Sequence, residues 1–525
     1  MKIKEFFKVK KNKSLFVKCL IALLFPFALC LIYFLVRGIS PFDIYVPASK
    51  NNDSLYYFKL VEAMRYNLYP RGYFGFNESH AANLTFAAWS PLMLLPWAAA
   101  GLIFGWGFKS AVFINILLFS IAFAIFVFVT DLEIEKYLNL TIILAFFPSF
   151  FIHLMCVLPE AVIAGLMLIF LGLAYRISLD KCNGKKDENI SFIFLILISA
   201  FLTLLRPYMV VFFIIPAALA FKKKKVVFGI VSIALTVLSL AGYFIVAKLF
   251  TAEYFTPLFD LGIIKLFLHG KFTEGFWSSV YVIRSMKNEI FAQMKDAFAY
   301  GLTSGTHYVL LAFEFVAVLF LTFFKKNKKV RVIAITYLIA VAGVVSAIVL
   351  LLQKANEGGR HIWVFCIIGI AVIVFFKEGN ESHVPKLLIA ALLVVFMIRG
   401  AVTPTDYDVP FDDRNIKETV TAWEDIFEKE NVALSDNTGY ENTVIWVFID
   451  YVDGKQVVTE FNGLYALPKG FGISCCSPDF VLTYFDTLQS KYIFTYDGAL
   501  VAEECEEYGY KLVGKYGKSV MYERY

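Results

Sequence analysis

Charge is scarce in this chain. Only 18% of its residues are Asp, Glu, Lys or Arg, while 59% are hydrophobic and the mean hydropathy is +0.68. That balance excludes an ordinary soluble globular protein, and the apolar blocks are long enough to cross a hydrocarbon layer of about 30 Å. The chain reads as a polytopic α-helical membrane protein. Histidine is sparse too: there are six, spread out, and no Cys/His pair has zinc-ligand spacing. No internal repeat or low-complexity tract stands out. The basic start "MKIKEFFKVKKNKSLFVK" is followed by an apolar run from Cys19 to Val36 that lacks a small-residue cleavage pattern, so a first span is expected in place of a removed signal peptide. The formal charge of +6 does not indicate nucleic acid as a partner, because the lysines cluster where spans end and read as cytoplasmic anchors.

Apolar runs and loop charge together predict about eleven spans, near 17–37, 108–130, 139–157, 160–177, 190–205, 207–221, 226–247, 307–324, 331–352, 361–376 and 387–399. The tetralysine Lys222–Lys225 and "KKNKKVR" mark inner loops. With an odd count, the N-terminus is cytoplasmic and the tail lies outside, in the plasma membrane of the cell. Residues 1–400 then form the membrane domain, with outer loops at 38–107 and 248–306, and residues 401–525 a small extracytoplasmic α/β domain. In that tail Ile416, Val420, Trp423 and Phe427 recur at helical spacing, while "KYIFTY" and "KSVMYER" alternate like strands. Cys475 or Cys476 can pair with Cys505 in an oxidising compartment, or all three stay reduced in a core.

The first outer loop is too long for a plain connector, since loops beyond roughly 12–15 residues are functional or disordered. Asp53 heads "SLYYFKLVEAMRYN", where Leu55, Phe58, Leu60 and Met64 recur at helical spacing. Further on, "WSPLMLLPWAAAGLIFG" is short for a span and carries two prolines, which favours a helix in the interface. The map gathers Asp53, Glu78, His80, Glu160, Arg206, Arg360 and His361 at the outer face. Ionisable groups at span ends avoid lipid and turn to a polar cavity. Each also has a purely structural reading: Asp53 and Glu160 cap helices, Arg206 and Arg360 snorkel to headgroups, and Glu78 and His80 are solvated loop residues.

Five segments in this order carry a resemblance. "NDSLYYFKLVEAM", "WSPLMLLPWAAAGLIFG", "LPEAVIAGLMLIFLGLAYR", "LLRPYMVVFFIIP" and "GGRHIWVF" are similar to the outer loop, interface helix, fourth span, Thr-Arg-Pro hairpin and late span of the membrane-integral GT-C glycosyltransferases, over residues 15–400. The resemblance implies a sugar donor linked to polyprenyl phosphate, a lipid, glycan or protein acceptor, and contact with membrane lipid. It implies Asp53 as general base and Arg206 or Arg360 at the departing phosphate, with Tyr56, Tyr57 and Trp89 stacking on sugar or lining the carrier path. Glu78, His80, Glu160 and His361 complete the substrate-binding set. Ser54 stands where family loops carry a second acid, and His361 where Tyr is usual, which leaves a divalent metal open. Two other classes compete: a transporter or flippase, which predicts broken spans in two related halves and a mid-membrane site, and a non-enzymatic surface scaffold.

Overall fold

A computed structural model describes residues 10–36, 40, 53–67, 74–78, 91–250, 259–301, 303–324, 328–353, 355–376, 380–402, 414–435 and 440–525. Helix α1 spans Lys10–Val36, α2 Asp53–Asn67, and a short strand β1 Phe74–Phe76. A 3-10 turn at Pro91–Leu94 leads into α3, Leu95–Phe104, and α4 follows at Phe108–Thr130. Then come α5 (Ile134–Ala145), α6 (Pro148–Met155), α7 (Glu160–Ser178) and α8 (Gly184–Leu205). A 3-10 segment, Pro207–Phe213, precedes α9 (Ile214–Lys222) and α10 (Val226–Phe250). Helices α11 (Gly262–Leu268), α12 (Phe272–Tyr300), α13 (Ser304–Phe324), α14 (Lys328–Ala347), α15 (Ala355–Phe375) and α16 (Asn380–Val402) complete the helical part.

Among the described residues, seven helices are long and apolar enough to cross a membrane: α1, α4, α7, α8, α10, α13, and α14 with its continuation to Leu352. The protein is an integral membrane protein. Three shorter apolar stretches, Pro91–Phe104, Pro207–Lys222 and His361–Phe375, fill in around them. The expected third span at 139–157 is broken into α5 and α6, because Pro148 has no N–H to continue a helix and is suited instead to starting one. Likewise the expected loop 248–306 is largely helical, holding α11 and the 29-residue α12.

The two ends of the bundle differ in chemistry. Helix α7 begins at Glu160 and ends at Ser178, about 28 Å away at 1.5 Å per residue. At its far end Asp180 meets Lys329 at 2.7 Å and also Lys223, and Lys225 meets Glu188 at 2.9 Å. Asp131 holds Lys18 at 3.0 Å nearby in the chain order of that end. Hydrogen bonds from Lys223 and Lys329 hold the Asp180 carboxyl down at about 2. The predicted lysine anchors thus converge on one end, and Glu160 opens the other.

The tail contains α17 (Arg414–Lys429), β2 (Thr443–Val447), β3 (Ile449–Val452), β4 (Lys455–Val458), β5 (Gly472–Cys476), α18 (Pro478–Tyr484), β6 (Tyr492–Tyr496), α19 (Leu500–Glu504), β7 (Tyr510–Tyr516) and β8 (Ser519–Arg524). Its sheet has six strands in the order β1-β5-β2-β6-β8-β7. The edge strand β1 comes from the first loop, paired parallel to β5 with Phe74 opposite Ile473. Residues of the 38–107 segment therefore belong to the sheet of the tail. Val420, Trp423 and Phe427 of α17 are buried as their spacing predicted. All eight cysteines are free thiols; Cys476 and Cys505 share one small core without bonding, so the disulfide alternative is not realised.

Candidate active site

Pro207 shapes the centre of the site. The residue before a proline is pushed out of the helical region, and Arg206 is extended at φ −144°, ψ 114°, which ends α8 there. Its guanidinium is almost wholly buried and donates from Nη2 to Glu160 Oε1 at 2.6 Å. Glu160 stands at the start of α7 behind Pro159, where the positive end of the helix dipole favours a carboxylate. From α15, His361 brings its ring against Nη1 of Arg206, with Nε2 at 3.3 Å and Nδ1 in closer contact. Its Nδ1 is 3.7 Å from Glu160 Oε1. Arginine only donates, so the nitrogen it approaches most closely presents its lone pair and the ring proton belongs on Nε2. Tyr208 Oη accepts from the same Nη1 at 3.3 Å. Two opposite charges, one imidazole and one phenol thus meet in a buried place, where Glu160 Oε2 has no hydrogen-bond partner among the described residues.

Helix α2 lies beside this group and is buried along nearly its whole length. Asp53 sits in its first turn, as its sequence position predicts, and Tyr56 and Tyr57 are buried with their rings edge-to-face at 5.0 Å. Burial pushes the Tyr57 hydroxyl well above the ordinary tyrosine range; Asp53 adds to the rise, Arg206 opposes it, and Tyr56 and Glu160 add smaller contributions. Tyr57 is therefore within electrostatic reach of both the proposed base and the buried ion pair.

One residue that the sequence gave no reason to single out holds these parts together. Asn115 of α4 is completely buried. Its Nδ2 donates to the carbonyls of Leu154 at 2.8 Å and Cys156 at 2.7 Å, and its Oδ1 accepts from Trp97 Nε1 at 3.1 Å. Trp97 lies on α3 and packs on Tyr57 with ring centres 5.9 Å apart. A single amide therefore clamps α3, α4 and the turn that delivers Glu160. An Asn inside an apolar run was the only available signal. From the tail, Tyr465 packs edge-on against Phe58 and Phe108, at 5.7 and 5.8 Å, and Glu62 on α2 accepts from Lys59 and from the Gly470 amide, both at 3.3 Å. The tail covers the site helix.

Of the expected site residues, Asp53, Tyr56, Tyr57, Glu160, Arg206 and His361 gather at one end of the bundle. Glu78 does not. Its carboxylate accepts from the Ser490 amide at 2.7 Å, the Ser490 hydroxyl at 2.6 Å and the Gln489 amide at 3.1 Å, so it fastens β1 to the tail and is not turned to the group around Arg206. His80 and Trp89 lie outside the described residues, and Arg360 is described only as helical backbone, one residue before His361. Among the described residues no group of three His, Cys, Asp or Glu side chains is placed to hold a metal ion.

No family model and no curated protein sequence matches this chain. Solved structures do. The oligosaccharyltransferase of Archaeoglobus fulgidus, tethered to an acceptor peptide containing an NVT sequon, is 13% identical with a TM-score of 0.51, over 92% of this chain and 69% of that one. ArnT from Cupriavidus metallidurans bound to undecaprenyl phosphate is 10% identical with a TM-score of 0.43, over 95% of this chain and 97% of that one. At such identity the likeness is one of fold alone: the chain shares its fold with the oligosaccharyltransferase.

Proposed function

We propose that the protein is a glycosyltransferase that moves a sugar from a polyprenyl-phosphate carrier to a lipid, glycan or protein acceptor at the outer membrane face. The observation that carries this reading is the meeting of the Asp53-headed helix with the Glu160, Arg206 and His361 group at the bundle end opposite the lysines. Under the positive-inside rule the lysine end is cytoplasmic, so the site and the tail are extracytoplasmic. The shared fold with an oligosaccharyltransferase supports the same class of chemistry.

In this reading Asp53 accepts the acceptor's proton as the acceptor atom bonds to the sugar carbon, a task that suits a carboxylate within hydrogen-bond reach. The bond from that carbon to the carrier phosphate oxygen breaks, and the phosphate leaves with the electron pair. Negative charge grows on the phosphate, so a fixed cation gains most there. Arg206 is committed to Glu160, which makes Arg360, next to His361 on the same helix, the preferred cation for the leaving group. Tyr56 and Tyr57, one turn after Asp53 on the same helix, are the aromatics that would stack on the sugar or line the carrier path.

The test uses purified protein with a polyprenyl-phosphate sugar donor. Asp53→Asn keeps the shape and the capping capacity of the side chain but removes the base, so transfer is lost while thermal stability holds. Arg360→Lys lowers turnover and carrier affinity, because an ammonium does not reproduce a paired guanidinium grip on phosphate. Full transfer by folded Asp53→Asn would exclude Asp53 as the base; transport of the carrier without any transfer would favour a flippase.

A further inference from the structure

Helix α12 is poorly covered by the rest of the protein. Along its 29 residues the buried positions are Gly275, Met286 and Ala297, spaced by eleven, which is three helical turns and hence one narrow stripe. Nearly everything else is solvent- or lipid-facing, including Phe272, Phe276, Trp277 at 62%, Tyr281 at 75%, Ile283, and Phe291. Charges at Glu274, Arg284, Lys287, Glu289, Lys295 and Asp296 make a bilayer crossing too costly for this helix. An aromatic, mixed-charge helix next to seven apolar spans belongs at the level of the lipid headgroups.

At its N-terminal end α12 and α11 enclose a groove of about 780 Å³ lined by Lys265, His269, Lys271, Trp277, Tyr281 and Asp260, among others. Asp260 is turned to structural work: its carboxylate accepts from the Gly262 amide at 2.7 Å and from Gln353 Nε2 at 3.2 Å, and its own amide donates to the Leu351 carbonyl at 2.7 Å. Lys271 is shared with Glu274 at 3.3 Å. His269 Nδ1 is fixed on the Lys265 carbonyl at 2.7 Å. What remains presented to the groove is the Lys265 ammonium and the outer edge of the His269 ring, beside two exposed amphipathic aromatics. One cationic donor for an anion, the Lys265 ammonium, stands next to apolar surface, and the His269 ring, its Nδ1 proton given to the Lys265 carbonyl, turns the Nε2 lone pair outward.

We infer that this groove binds the headgroup of an anionic membrane phospholipid, with the phosphate at Lys265, a headgroup hydroxyl donating to His269 Nε2, and the acyl chains along the exposed aromatic face of α12. Lys265, which has no carboxylate partner among the described residues, favours an anionic headgroup because Asp260 is held by the Gly262 amide and Gln353, and Lys271 by Glu274, and Trp277 and Tyr281 suit the boundary between headgroup and acyl chain. This inference stands independently of the transfer reaction, and its readout is lipid, not turnover.

Native mass spectrometry of the full chain purified with phosphatidylglycerol and phosphatidylcholine measures it. The wild type retains phosphatidylglycerol in preference, Lys265→Gln with His269→Gln loses that preference several-fold, and Lys287→Gln, on the exposed face of α12 away from the groove, keeps it. As a second measurement, brominated phosphatidylglycerol quenches a component of tryptophan fluorescence that Trp277→Phe removes. Equal retention of the two lipids by the wild type, or unchanged preference in the folded double variant, overturns the inference. So does complete displacement by inorganic phosphate alone, which would make the groove a site for a free anion.

Discussion

Arg206 Nη2 lies 2.6 Å from Glu160 Oε1, 46 residues earlier in the chain, and both side chains are almost completely buried. Breaking a buried pair strands a charge and costs about 3–5 kcal/mol, whereas replacing both partners with apolar groups is often near neutral. Arg206→Leu and Glu160→Leu are each expected to lower the melting temperature clearly, and the double variant to recover most of the loss. Thermal unfolding in detergent of the four proteins checks this. Additive losses would mean that the two side chains do not stabilise each other.

Asn115→Leu keeps the volume of the side chain but leaves the Leu154 and Cys156 carbonyls and the Trp97 N–H without their partner. Each buried orphan costs about 1–3 kcal/mol, so stability falls. Because the turn that loses its clamp carries Glu160, turnover with saturating donor is expected to drop about tenfold in the protein that stays folded, equivalent to about 1.4 kcal/mol. A stability loss with unchanged turnover would confine Asn115 to packing.

Gly369 on α15 leaves room for a carboxylate from α13. A Cβ there would overlap Glu314 Oε2 and stand 2.7 Å from Tyr337 Oη, and overpacking of this kind costs about 1–3 kcal/mol. Gly369→Ala is expected to destabilise the bundle, and to do so much less on a Glu314→Ala background. Equal losses on both backgrounds, read from melting curves, would show that some other neighbour takes the strain.

Glu78 is the pin between the first loop and the tail. Glu78→Ala removes the acceptor of the Gln489 and Ser490 amides, so faster hydrogen exchange is expected at those two amides and along β1, with the central pair β2 and β6 unchanged. Unaltered exchange at Ser490 would mean that the strand pairing alone holds the edge.

Much of this protein was legible without coordinates because hydropathy is a local property. Runs of apolar residues located the seven long helices, the periodicity of Leu55, Phe58 and Met64 located the helix headed by Asp53, and the placement of lysines separated the two ends. Helix breaks were less legible. Pro148 splits an apolar run whose composition alone reads as one span, since average hydropathy does not register the loss of a single backbone donor.

Pairing across the chain was not legible at all. Glu160, Arg206 and His361 come from three helices, and only their packing decides that the arginine is used by the glutamate. The same holds for Phe74–Phe76, three residues that pair with a strand almost 400 positions later, and for Glu78, whose charge suggested a substrate and whose partners prove to be two backbone amides and a serine hydroxyl of the tail. Composition and periodicity by themselves determined where the long apolar helices run. The tertiary structure decided which polar groups face one another, because the cost of burying a charge or an amide is met only by a partner that the fold brings into range.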